Sequence, residues 1–352
     1  MRDNEISVLD VLDAAAKRRD ERRRFMKLAG GSTVMVGGLS MLAACGDDDD
    51  DGPTPTPSPT PTPTSSVSDT DVLNFALQLE YLEAQFYSYA AFGVGLDAAL
   101  LSGVGTAGSV AMPSGTAGRP RQVNFSDPII AQYAREIARD EIAHVRFLRT
   151  ALGAAAAAQP AINISGDATG AFTAAARASN VVGSTGTFDP YADENSFLLG
   201  AFIFEDVGVT AYMGAVPLLS TSLVEAAAGI HAVEAYHAGL VRTLLYRRGA
   251  TIADLRTNAG RISDARDTLD GTANSGLLNQ GADRDQGLTG NTTTTTTNNT
   301  AAASNIVPTD ANGIAFARST NQVLNIVYLS PNANVSSGGF FPAGVNGSIR
   351  AT

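Results

Sequence analysis

Two short patterns in this chain could do chemistry. Glu141 is followed three places later by His144, and Glu234 likewise by His237. On a helix, residues i and i+3 share a face, one turn apart. A carboxylate and an imidazole so placed can grip one metal ion. The chain has three histidines and ten glutamates. At that glutamate frequency the double pattern would arise by chance in roughly one chain in four hundred, whereas a single copy would mean little. Two such helices, plus one glutamate from each of two others, make the ligand set of a two-metal carboxylate centre inside a four-helix bundle.

The elements that must position this set can be read from the periodicity. Residues 69–91 carry a broad apolar stripe at helical spacing, with Glu80 inside it. Ser126, Asp127 and Pro128 form a helix start, and the helix runs to about Leu152, with Gly153 as its stop. A third, strongly apolar helix begins at Glu194 or Asn195 and reaches about Leu219, with Pro217 near its end and Glu205 in its middle. Ser222 and Glu225 read as a capping box for the fourth, which ends at Arg247, Arg248 and Gly249. If the turn lies near residue 220, Glu205 and Glu234 reach the same height on antiparallel helices. Residues 159–195 form the long crossover, with a short helix around 172–178. Residues 93–124 read as a long loop. Beyond Thr251 the pattern weakens. Residues 281–305 are low-complexity, with six threonines at 292–297. Residues 314–329 regain helical periodicity, and 338–347 read as a glycine-rich closing loop with two buried aromatics. The predicted fold is therefore all-α, a four-helix bundle with one long crossover and a fifth, C-terminal helix.

The proposed metal ligands are Glu80, Glu141, His144, Glu205, Glu234 and His237. A carboxylate within an apolar stripe should be paired or bound to metal. Glu83 follows Glu80 by one turn, as a further ligand, a partner of a ligand, or simply the polar edge of the helix. Tyr87 and Tyr212 each lie seven residues after a proposed ligand glutamate, hence on its face, so core packing or a hydrogen bond to a ligand carboxylate is open to both. His231, one turn before Glu234, is either a partner of the ligands or an ordinary helix residue. Asp206 faces away from Glu205 and is left out. Four carboxylates and two imidazoles, with no thiolate, suit iron or manganese.

The 352 residues carry a formal net charge of −11. That acidic balance excludes nucleic acid as a natural partner. One cysteine, Cys45, rules out an internal disulfide framework. Arg22, Arg23 and Arg24, then Phe25, Met26, Lys27 and a mildly apolar run to Ala44, resemble a bacterial twin-arginine export signal. Leu42, Ala43, Ala44 and Cys45 look like a lipobox, with Cys45 as the lipidated residue. The expected organisation is a signal over 1–44, an acidic and Pro/Thr-rich linker over 45–67, the bundle over 68–250, a variable segment over 251–305, and a C-terminal helix and closing loop over 306–352. The linker alternates proline with threonine or serine, an extended spacer. The protein would be an exported periplasmic or cell-envelope lipoprotein, tethered to a membrane through Cys45.

The stretch LNFALQLEYLEAQFY, the two Glu-x-x-His helices, and the tail FARSTNQVLNIVYLS with GGFFPAGVNG resemble the ferritin-like family whose members are often labelled desiccation-related. The resemblance covers about 68–349, less the threonine-rich insert. It implies a ferritin-like bundle, and it places Glu80, Glu141, His144, Glu205, Glu234 and His237 at the family's metal positions. Two readings of function follow. One is a di-iron or di-manganese oxidoreductase acting on Fe(II), dioxygen or peroxide, as a homo-oligomer or alone. The other is a non-enzymatic envelope or desiccation-related bundle stapled by metal. Neither the loops nor the lack of tryptophan suits a cage-forming iron store.

Overall fold

The computed structural model describes residues 67–112, 122–271, 285–289 and 303–352. The expected export signal, Cys45, the expected linker up to residue 66 and the threonine run lie outside them. The described residues form an all-α fold. Four long helices build the bundle: α1 (Asp69–Phe92), α2 (Pro128–Leu152), α4 (Glu194–Ala215) and α5 (Thr221–Arg248). The short α3 (Ala171–Ala178) lies in the crossover, and α6 (Ala253–Asp270) and α7 (Thr320–Val327) follow the bundle.

The helix ends follow local chemistry. Ser68 caps α1 in a reciprocal box with Asp71, and Gly93, at φ 70°, closes it in the left-handed conformation. Asp127 caps α2 through the Ile129 N–H, with Pro128 in the first turn, and Gly153 ends it. Asp193 caps α4 by accepting from Asn195 and Ser196. Pro217 falls in a single 3₁₀ turn, Val216–Leu218, that ends α4. The capping box expected at Ser222 is not made. α5 starts two residues earlier, after Ser220, whose N–H donates to Asp69 at the start of α1 and so ties the two hairpins together.

α1 pairs with α2 and α4 with α5 as two hairpins, and the hairpins face each other. α1 and α4 are buried on almost every side, so they read as apolar throughout, whereas α2 keeps a wet face. By length and hydropathy α4 could cross a membrane, but most of it is buried inside this domain, as a core helix would be.

The loops are more ordered than their composition suggests. Val110–Ala111 (β1) and Ile162–Asn163 (β2) pair in parallel, Val110 with Ile162. The crossover also contributes Phe172 and Tyr191 to an aromatic cluster around Phe86, with centroids 5.2 and 5.7 Å away. The closing loop buries Phe340 and Phe341 fully, and Gly338 and Gly339 turn it at φ 145° and 47°.

Two expectations for the C-terminal third are corrected. The helix expected over 314–329 spans only Thr320–Val327, because Ser319 caps it in a box with Gln322. The segment before it is drawn out by Arg318, whose N–H donates to Thr210 O on α4. Part of the stretch read as variable is α6. Its buried face runs Leu255, Ala259 and Ile262, then continues as Ser263, Arg266 and Asp270. A stripe that turns polar halfway escapes a search for apolar periodicity.

Candidate metal centre

The six residues proposed from spacing converge in the middle of the bundle. Glu80 comes from α1, Glu141 and His144 from α2, Glu205 from α4, and Glu234 and His237 from α5; all six are buried. They form two overlapping groups. Glu80, Glu141, His144 and Glu234 present donor atoms within 4.8 Å of one another, and so do Glu141, Glu205 and His237. His144 Nδ1 lies 3.2 Å from Glu80 Oε2, 3.4 Å from Glu141 Oε2 and 3.6 Å from Glu234 Oε1. His237 Nδ1 lies 3.0 Å from Glu141 Oε1 and 3.7 Å from Glu205 Oε2. Glu141 thus turns one oxygen toward each imidazole.

The partners of these groups follow a rough two-fold relation between the hairpins. Tyr87 on α1 donates to Glu205 Oε1 on α4, and Tyr212 on α4 donates to Glu80 Oε1 on α1. Both tyrosines pack in the core and also donate to a carboxylate of the cluster, in each case that of the opposite helix and not the one seven residues before it. Glu83 is buried beside the cluster. His231 does not join it: its Nδ1 meets the Val209 carbonyl at 3.1 Å, and burial lowers its pKa. Asp206 points away from the cluster to Arg242 and Arg266. Asp140 was not assigned from the sequence, yet its Oδ2 lies 3.2 Å from His237 Nε2. A carboxylate there orients the ring and leaves Nδ1 to face the centre. The available signal was position: Asp140 sits one turn before His144 and next to Glu141.

The electrostatics show what the cluster lacks. Burial pushes Glu80 up to about 7 and Glu205 up to about 8. Burial also raises Glu234 and Glu83, with nearby carboxylates adding to it. Burial acts against Glu141 as well, but the two imidazoles beside it outweigh burial and hold this carboxyl below its usual range. For the histidines, burial disfavours the charged form, yet the carboxylates win. Glu80 and Glu141 push His144 up to about 11, and Glu205, Asp140 and Glu141 push His237 up to about 10. Without a cation from outside, the cluster must borrow protons.

The donor atoms fit a metal. Both oxygens of Glu141, both of Glu234, Glu205 Oε2 and His237 Nδ1 are buried without a hydrogen-bond partner. Groups left so in the interior cost free energy unless something binds them. Here the bare atoms are clustered, and hard oxygen and imidazole donors are what iron or manganese takes.

Fold and site define a helical bundle with a buried carboxylate and histidine cluster. Residues 68–247, just over half of the chain, match the model of the ferritin-like domain family, and the chain belongs to that family. It is 29% identical over 290 residues to the ferritin-like catalase Nec2 of Nesocodon mauritianus, covering 80% of this chain and 85% of that one. It is also 29% identical over 274 residues to the desiccation-related protein PCC13-62 of Craterostigma plantagineum, covering 73% and 76% respectively. No solved structure matches the chain significantly.

Proposed function

We propose that this protein holds two iron or manganese ions between Glu80, Glu141, His144, Glu205, Glu234 and His237, and that it disproportionates peroxide. The observation that carries the reading is Glu141, buried and without a hydrogen-bond partner, with one oxygen toward each imidazole. The relative named as a catalase supports peroxide over Fe(II) as substrate. When bound, the ions would supply the electron transfer by which one peroxide is oxidised to dioxygen while another is reduced to water.

The residues supply the rest. Glu141 stands between the two donor groups, with Glu80 and Glu234 on one side and Glu205 on the other. Tyr87 and Tyr212 hold Glu205 and Glu80 in place, and burial raises both phenols so that they stay protonated donors. Asp140 fixes the His237 ring. The aromatic cluster around Phe86 and the buried α1 and α4 keep bulk water out. We further propose that the protein is exported and tethered through lipidated Cys45, with the Pro/Thr-rich linker as spacer.

The test is elemental analysis of protein purified from its own host, followed by peroxide turnover. Two ions per chain and turnover that is lost in Glu234→Ala are expected. A chain that binds two ions and leaves peroxide untouched would instead support the stapled stress protein, a reading favoured by the desiccation-related relative.

A further inference from the structure

The rough two-fold relation between the hairpins breaks at Glu83. Glu80 corresponds to Glu205, Glu141 to Glu234, His144 to His237, and Tyr87 to Tyr212. Glu83, three residues after Glu80, corresponds to Gly208, three residues after Glu205. The two tyrosine bonds fix the register of α1 against α4, because Tyr87 reaches Glu205 while Tyr212 reaches Glu80. The midpoint of that antiparallel register falls between residues 83 and 84 on α1 and between 208 and 209 on α4, which brings Glu83 beside Gly208.

The glycine makes room for Glu234. A Cβ on Gly208 would collide with Glu234 Oε2 and would stand 3.5 Å from Glu83 Oε1. Glu83 and Glu234 therefore converge over a residue with no side chain. Glu83 is 6% exposed. It makes no hydrogen bond or ion pair among the described residues, and it lines an apolar cavity together with Leu79, Leu82, Ile203, Val207 and Tyr212. A buried carboxylate without a partner, in an apolar wall, beside the ligand cluster, has no structural account of its own.

We infer that Glu83 is a seventh donor to the metal centre and its fifth carboxylate, brought in from α1 beside Gly208. The inference rests on the metal-binding reading above. It makes the two halves unlike. His237 has Asp140 behind it, the second donor group has three members against four in the first, and the added carboxylate enters on the α1/α4 face alone.

The experiment uses the full chain loaded with manganese, comparing wild type with Glu83→Gln. Metal per chain is measured after equilibration against a chelator series, together with the electron paramagnetic resonance spectrum and the thermal midpoint with and without metal. If Glu83 ligates, the glutamine variant keeps its metal-free midpoint or raises it, because a buried carboxyl without a partner is replaced by a neutral amide of the same shape. It then loses manganese about ten-fold more readily, changes the spectrum, and gains fewer degrees on loading. Equal affinity and an unchanged spectrum would overturn the inference while leaving the six-ligand centre intact. A metal-free midpoint that drops in the variant would also overturn it, since the side chain would then be packing. A wild-type chain that takes up no manganese and no iron would sink the metal reading and this inference together.

Discussion

Glu141 is the residue on which both halves of the centre depend, so its loss should be felt twice. Glu141→Ala is expected to strip both ions, whereas Glu80→Ala, which lies in only one donor group, should leave one. Metal content of the purified variants decides this, and a Glu141→Ala protein that keeps two ions would remove the carboxylate from its shared role. Tyr87 acts at one remove. Its phenol donates to Glu205 while its ring packs against Phe86 at 5.0 Å and Phe197 at 5.8 Å. Tyr87→Phe keeps the ring and removes only the hydrogen bond. Affinity for metal should fall roughly ten-fold or more with the fold intact, read by chelator competition beside circular dichroism. The ligands could be read from the chain because spacing in one helix is local information. Asp140 and Gly208 could not, because their roles depend on which helix lies across from them.

At the scale of elements, the bundle is held at its outer side by ions in its own interior. Arg242 of α5 is fully buried and donates to Asp206 Oδ2 at 2.7 Å, as well as to the carbonyls of Gln286, Gly287 and Asn305. Arg266 of α6 meets Asp206 at 2.9 Å and Asp285 at 2.5 Å. Arg318 joins Asp270 and Asp285, each at 2.7 Å. Three guanidiniums and three carboxylates thus clamp α4, α5, α6 and the C-terminal segment. Removing one partner leaves charge stranded, so Arg242→Met should cost about 3–5 kcal/mol, measured by urea unfolding. A cost near zero would mean the network contributes nothing beyond its volume. The four bundle helices were legible because their burial is apolar or their ends are capped. α6 was not, because its buried face spends half its length on Arg266 and Asp270. The crossover read as loop because its order comes from β1 pairing across to β2 and from Phe172 and Tyr191 packing on Phe86, contacts between distant stretches.

At the scale of the whole molecule, metal and protons compete for one cluster, and the sign of that competition can be worked out. Glu80 and Glu205 hold their protons up to about 7 and 8 in the metal-free fold, while an unfolded glutamate releases its own near 4.3. His144 and His237 stay charged up to about 11 and 10, while an unfolded histidine loses its proton near 6.5. Each group therefore binds more protons folded than unfolded between those limits, so the metal-free protein loses stability as pH rises through that window. Metal binding runs the other way. It needs the same groups deprotonated, so affinity strengthens as pH rises, and the stabilisation by a bound ion grows with its affinity. The gap between the thermal midpoints of loaded and chelator-stripped protein should widen steadily from pH 5 to pH 8. Below that range a different cluster takes over. Burial opposes ionisation of Asp285, but Arg266 and Arg318 outweigh it and hold the carboxyl below its ordinary 3.8. Its contribution is complete above that value and disappears as pH falls through the folded one, in loaded and stripped protein alike. Differential scanning fluorimetry across pH 2 to 8, with and without manganese, checks both parts. A metal-dependent gap that stays constant or narrows toward pH 8 would mean that these carboxylates and imidazoles do not hold the ion.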